Sequence, residues 1–450
     1  MENTIKKNPI TEGVIWKQML LFCVPIMIGT LFQQLYNAVD VIVVGKFVST
    51  EALACVGGSS GMMINLFVGF FVGMTSGVTV VVARYFGAND FKSLKIGLHT
   101  SVWISIVGGI LFGILGVLFA PFLLNLLGTP SELMSGSLLY LRIYFVGIIF
   151  TFLFNTGSAV LRALGDSKRP LYYLMICCFV NIVLDVLLVV VFHLGIAGVA
   201  IATVTAQAVS SIFVIHAMKH LEVQFRLRWN EVKFDKKSFI EIIKIGLPAG
   251  FQSVMNSLSG MIMASAVNSL GTIAVAGNTA YSKLDGIYWM VSNAFSVSIA
   301  TFVSQNLGAN KKKRVFESIW VCLLLDLVLS GGLSLFFFFT SQYLLYLFTS
   351  DPLVVEQALY VMKAIAPYYA LVPLYEVLAS ALRGMDDVFV PVVINIIGLC
   401  GIRAGYILLF QSHPSNIYDV IISCPISWIF TAVCTIAYFL IRLPKIKKTI

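Results

Sequence analysis

Long apolar runs follow one another almost without pause along this chain. Twelve helical spans are expected, near residues 17–46, 53–83, 96–126, 136–163, 170–193, 195–219, 241–270, 277–306, 316–347, 353–382, 389–411 and 417–442. Each holds the roughly 20 apolar residues that a helix needs to cross a bilayer. Barrel strands are shorter, about 9–11 residues, and alternate, so helices are the only spanning structure these runs allow. Composition agrees. Only 11% of residues are charged, against about 25% in a soluble domain. The chain is an integral membrane protein by this reading.

Charge placement sets an expected orientation. Lys6, Lys7 and Lys17 precede the first span, and every second loop after it is basic: Arg84, Lys92 and Lys95, then Arg162, Lys168 and Arg169. The segment 220–240 and its flanks, the Lys311–Arg314 run, Arg383, and Arg442 with the C-terminal lysines continue the alternation. These positions take 25 of the 30 Lys and Arg residues, and the intervening loops hold only Lys46. Both termini and the central linker are therefore expected on the cytoplasmic side of the cell membrane. A net charge of +9 distributed in this way argues against nucleic acid as a partner.

The two sets of six spans repeat each other. Leu161-Arg162-Ala-Leu-Gly-Asp166 matches Leu382-Arg383-Gly-Met-Asp-Asp387, and Phe86-Gly87-Ala88-Asn89 matches Leu307-Gly308-Ala309-Asn310, both at an offset of 221. Pro25 and Pro248 pair at 223. An even number of spans per repeat makes the repeats parallel, as in rocking carriers. The expected fold is all-α, with twelve transmembrane helices in two parallel six-helix repeats forming two lobes. The expected divisions are an N-terminal tail 1–16, a first lobe 17–219, a linker 220–240, a second lobe 241–442 and a tail 443–450. Pro25 and Pro248 each remove a helical hydrogen bond inside a span, which makes them candidate hinges. Gly69, Gly73 and Gly77 are read as a close-packing face.

Polar residues inside the spans carry the functional reading. Gln33, Asn37 and Asp40 stand at i, i+4 and i+7, on one helical face. A carboxylate within a span costs at least ~2.5 kcal/mol, so it normally faces a cavity or a partner. Asn181 and Asp185 stand at i and i+4 on the fifth span, Thr203 and Gln207 on the sixth, and Tyr140 and Asn155 lie on the fourth. Oxygen-only donors suit a hard cation. Two adjacent carboxylates also cannot both ionise easily, which suits proton exchange. The second half places Tyr406 where the first has Asp185, and Met261 or Met263 where it has Asp40. Its own charges are Lys283, Asp285, Asp326 and Glu376, to which no role is assigned. Met255, Met261, Met263, Tyr281, Tyr288, Trp289 and Met290 are read mostly as lipid-facing packing.

Enzyme chemistry finds no support. Gly57-Gly58-Ser59-Ser60-Gly61 satisfies G-x-S-x-G, but His99, His193, His216, His220 and His413 lie near span ends or in loops, with no base at mid-span. The eight cysteines fall in or beside apolar runs without metal-ligand spacing and are read as buried apolar residues.

Taken together, Pro25, Asp40-Val-Ile-Val-Val-Gly45, the Phe86–Asn89 and Leu161–Asp166 loops and Asn181-x-x-x-Asp185 resemble the multidrug and toxic compound extrusion family, over about residues 15–440. The resemblance implies a two-lobe antiporter exporting amphipathic organic cations against Na⁺ or H⁺. It implies a cation or proton site at Asp40, Asn181, Asp185 and Thr203, which would ligate Na⁺ if sodium is coupled. Tyr140 and Asn155 would belong to the same polar network, which by helix face extends to Gln33, Asn37 and Gln207. No cofactor is expected beyond the coupling ion, and the expected partners are small-molecule substrates and lipids, with the protein a monomer. A branch of the family carries carboxylates on the seventh and tenth spans, where this chain has Asn256 and Val372. The alternative reading is a flippase for a lipid-linked or polysaccharide precursor, with Arg142, Lys363 and Arg403 along a groove.

Overall fold

The structure is a computed structural model that describes residues 8–410 and 414–449, the last five of these by backbone alone. The expected basic residues Lys6 and Lys7, His413, and the side chains of Lys445, Lys447 and Lys448 lie outside that description. The described residues are helical throughout, with no strand among them.

Among the described residues, eleven helices are long and apolar enough to cross a membrane. They are α1 (Ile15–Phe47), α2 (Thr50–Gly87), α3 (Phe91–Leu126), α4 (Ser131–Ala163), α5 (Lys168–Val191) and α6 (Gly195–Lys219), then α8 (Thr272–Gly308), α9 (Lys312–Leu345), α10 (Pro352–Gly384), α11 (Phe389–Phe410) and α12 (Ile417–Pro444). The expected seventh span forms α7 (Lys236–Asn268), 33 residues long. Lys236, Lys237, Glu241 and Lys244 lead it, and Gln252, Ser253, Asn256 and Ser257 follow, so α7 is long enough to span but less apolar than the others.

The repeat appears in backbone geometry as well as in sequence. Asn89 and Asn310 both adopt left-handed φ, 54° and 55°, and Gly165 and Asp386 do so at 90° and 65°. Each pair is separated by 221 residues. The turns close identically: the N–H of Asp166 donates to Leu161 O at 2.9 Å, and that of Asp387 to Leu382 O at 3.0 Å. Left-handed φ strains most side chains, so Gly and Asn suit these positions and Asp tolerates one.

Two compact units emerge, 24–250 and 1–23 with 251–450. Their boundaries fall within α1 and α7, beside Pro25 and Pro248, and not in the linker. The first stretch of each of these helices therefore packs in the unit built mainly from the other repeat. In unit 24–250, α7 crosses α2 backbone to backbone. A Cβ on Gly73 would stand 2.6 Å from Ala249 O, and one on Gly77 would collide with Ile242 O. In the other unit, Cys23 Sγ of α1 meets Ser298 Oγ at 3.0 Å and Ala294 O at 3.8 Å on α8. Ala294 and Ser298 are the repeat equivalents of Gly73 and Gly77, 221 residues on.

Each unit is also strapped at its basic-loop end. In unit 24–250 the linker buries Phe225 and Leu227, and the N–H of Arg228 donates to His99 Nε2 at 3.0 Å. In the other unit the short helix Pro9–Glu12 buries Ile10. Lys311 Nζ donates there to Thr11 O at 3.0 Å, and Asn8 Nδ2 to Gln305 Oε1 at 2.9 Å.

Candidate functional site

The carboxylates of the first repeat converge inside unit 24–250. Asp40, on α1, is 6% exposed, and Asp185, on α5, is fully buried. Asp185 and Asn181 both lie close enough to Asp40 to interact with it, but no hydrogen bond joins them to it. Thr203, on α6, reaches Asp40 Oδ2 at 3.4 Å and the Val199 carbonyl, four residues back, at 3.0 Å. A hydroxyl carries one proton, and the shorter contact takes it. Asp40 is thus left without a strong donor.

Unmet polar groups mark this site. Asp40 Oδ1, both oxygens of Asp185 and both amide atoms of Asn181 are buried with no hydrogen-bond partner among the described residues. Each such atom costs about 1–3 kcal/mol. Two ionised carboxylates close together without a counter-cation cost more still. A proton shared between Asp40 and Asp185, or a cation between them, removes both penalties. Backbone irregularity lies alongside: α5 is α-helical to Asp185 and π-helical from Val186 to Val191. π-Bulges of this kind frequently sit at functional positions.

The remaining polar residues divide into three groups. Tyr140 is buried within electrostatic reach of both carboxylates, where it packs with Val43, Val44 and Val199. Gln33, Asn155 and Gln207 line a separate cavity of about 120 Å³, together with Pro25. On three helices that cavity begins four residues from the carboxylate network, at Tyr36 below Asp40, Tyr144 below Tyr140 and Gln207 below Thr203. Asn155 Nδ2 is tied to the Thr151 carbonyl at 2.8 Å. Asn37 is exposed, and no bond joins it to the pair. Pro248 stands between Gly246 and Gly250, where α7 crosses α2.

The second repeat treats its buried acids differently. Asp285 Oδ1 accepts from Tyr369 OH at 2.5 Å and Tyr281 OH at 3.0 Å, and the two phenols lie 3.1 Å apart. Tyr288 stacks on Tyr369 at 3.9 Å and donates to its carbonyl at 2.7 Å. Asp326 Oδ1 accepts from Ser330 Oγ at 2.7 Å. Tyr281 and Tyr288 therefore belong to the lobe interior, correcting the lipid-facing expectation: a phenol close to a buried carboxylate gains a strong acceptor that lipid cannot supply. Lys283 and Asp285, two residues apart on a helix, do not face each other, and the partners of Asp285 are tyrosines from α8 and α10 that no local spacing shows. Lys283 is exposed, as are Arg142 and Lys363, while Arg403 lines a small cavity with Glu376, Trp289 and Trp428.

The comparisons agree with this architecture. The MatE family model matches residues 25–187 and 248–408, one segment in each repeat. YpnP of Bacillus subtilis (strain 168), a probable multidrug resistance protein, is 29% identical over 91% of each chain. The FAD transporter of Shewanella oneidensis is 24% identical over 94% of this chain and 93% of its own. A solved MATE family transporter of the MOP superfamily, in an outward-facing conformation, shares the fold at a TM-score of 0.90 with 19% identity, covering 99% of this chain and 100% of that one. With a family model spanning well over half its length, this multi-pass membrane protein belongs to the MatE family of multidrug efflux transporters and is not an enzyme.

Proposed function

We propose that the protein is a secondary antiporter of the cell membrane, with both termini cytoplasmic, that exports amphipathic organic cations against entry of H⁺ or Na⁺. The observation that carries this reading is the proximity of Asp40 and Asp185, both buried, with three of their four carboxylate oxygens lacking a donor among the described residues. Such a pair holds one positive ion favourably and is penalised when empty, so loading and unloading shift the balance between conformations. In this reading Asp40, Asp185, Asn181 and Thr203 take the ion. Tyr140 closes the site laterally, and Gln33, Asn155 and Gln207 line the adjoining aqueous space. Asn37 sits at its margin. Pro25 and Pro248 act as hinges, because the boundaries of the compact units fall beside them.

Relatives at similar distance bear names as different as multidrug resistance protein and FAD transporter, so ancestry does not choose the substrate. The test is dye efflux from everted vesicles with Na⁺ and pH gradients imposed separately. Efflux that follows one gradient and disappears in D40N supports the reading. Efflux indifferent to both gradients ends it.

A further inference from the structure

The cavity lined by Gln33, Asn155 and Gln207 begins one turn from the carboxylates. One face of α4 lines it through Tyr144, Thr151, Asn155, Ser158 and Arg162, at i, i+7, i+11, i+14 and i+18. At about 1.5 Å per residue the stripe runs about 27 Å, to the last turn of α4. No Asp or Glu is among the lining residues. Its single formal charge is therefore the guanidinium of Arg162.

That charge lacks a partner where one is expected. Arg162 Nε is buried with no hydrogen-bond partner among the described residues. The nearby acid, Asp166, is occupied: it accepts from the N–H groups of Lys168 and Arg169 and pairs with the Arg169 side chain. The helix end does not account for Arg162 either, because the Val160, Leu161 and Arg162 carbonyls already accept from Leu164, Gly165 and Asp166. One turn before Arg162 on the same face, Ser158 Oγ is buried and unpartnered too. A guanidinium and a hydroxyl, both with unused donors, face a cavity without acids. Such a set recognises oxyanions, since the planar guanidinium matches a carboxylate or phosphate with two parallel bonds.

We propose that the Arg162 end of this cavity is an oxyanion subsite, in which Arg162 and Ser158 hold a carboxylate or phosphate group. The cavity is then anion-seeking at Arg162 and lies apart from Asp40 and Asp185, which do not line it. It suits a molecule that carries an anionic group, free in solution or as a phospholipid headgroup. This deepens the transport reading by naming a chemical feature of what is carried, but the binding itself does not depend on ion coupling.

The test uses full-length protein in a neutral, lipid-free detergent, titrated with phenyl phosphate while the unfolding midpoint is followed. The intact chain is expected to be stabilised. R162Q should bind roughly tenfold or more weakly, as for loss of a charge-assisted contact. R162K should fall between the two, which separates lost recognition from lost folding, and S158A should weaken binding a few-fold. A second arm measures retained phosphatidylglycerol by native mass spectrometry after extraction from vesicles containing it. Arg162-dependent lipid retention assigns the oxyanion to a headgroup, and an Arg162-dependent phenyl phosphate response assigns it to a solute. Either result supports the subsite. Equal binding by the intact chain and both Arg162 variants in both arms, or no binding by any of them, overturns it. D40N is expected to keep the phosphate response, so failure of the coupling reading and failure of the subsite are told apart.

Discussion

The two lobes provide for the acids in their interiors in different ways. In the first, Asp40 and Asp185 lie close together, and three of their four oxygens find no donor among the described residues. In the second, Asp285 receives two phenol hydroxyls, and Asp326 a serine hydroxyl on Oδ1, with only Oδ2 unpartnered. A carboxylate supplied with donors is a finished structural element, which stiffens the helices that provide them. The scaffold is duplicated and both repeats hold unpartnered buried polar atoms, but among the described residues three of the four unpartnered carboxylate oxygens belong to Asp40 and Asp185, and the fourth to Asp326.

The contrast can be broken most sharply at the first lobe. Asp40→Asn and Asp185→Asn, each alone, are expected to bring gradient-driven dye efflux to background while leaving membrane insertion intact. Retained efflux in either variant would show that the pair is only interhelical glue. The next largest effect is expected on stability, at the α2–α7 crossing. Gly77→Val drives a side chain into the Ile242 carbonyl and should cost roughly 1–3 kcal/mol or more, read as a lower unfolding midpoint. Ser298→Val, at the equivalent place in the other unit, should cost less, because the contact there is already between side chains.

Asp285→Asn sharpens the comparison from the second lobe. Loss of charge from two short phenol bonds should destabilise by about 1–3 kcal/mol, yet gradient-driven efflux should persist. Abolished efflux with an unchanged midpoint would make Asp285 a second ion site and erase the asymmetry. The smallest effect is expected at the basic loops. Asp90 caps α3 by accepting from Ser93 N at 3.0 Å, whereas its repeat equivalent, Lys311, gives α9 no side-chain cap. The bonds to Ser93 hold the Asp90 carboxyl below its ordinary value of 3.8. Its contribution is therefore complete above that value and fades as pH falls through the lower folded one. Asp90→Ala should cost about 1 kcal/mol or less near neutral pH, and the gap to the intact chain should close in acid. A gap that widens in acid would contradict the cap.

Legibility followed the range of the interaction. The spans and the repeat could be read from the chain, because burial in lipid and helical periodicity act over a few residues, whereas the left-handed turns at Asn89 and Asn310 came from the structure. Helical spacing also put Asn181 and Asp185 on one face, and both lie close to Asp40. Spacing placed Asn37 on the same face as Asp40, yet only Asp40 reaches the pair, since a shared face does not say how wide the neighbouring helices' contact is. The tyrosine support of Asp285 was hidden for a related reason: Tyr369 is 84 residues away on α10, and no local pattern links them.

The sequence by itself determined a twelve-helix membrane protein built from two parallel repeats, because apolar length, charge alternation and a 221-residue echo each follow from local chemistry. Only the tertiary structure decided that α1 and α7 are each divided between compact units, that Asp40 lies close to Asp185, and that Arg162 Nε stands without a partner among the described residues. Those facts depend on which helices cross and how closely, and close crossing is set by backbone contacts such as those at Gly73 and Gly77, whose partners lie some 170 residues along the chain.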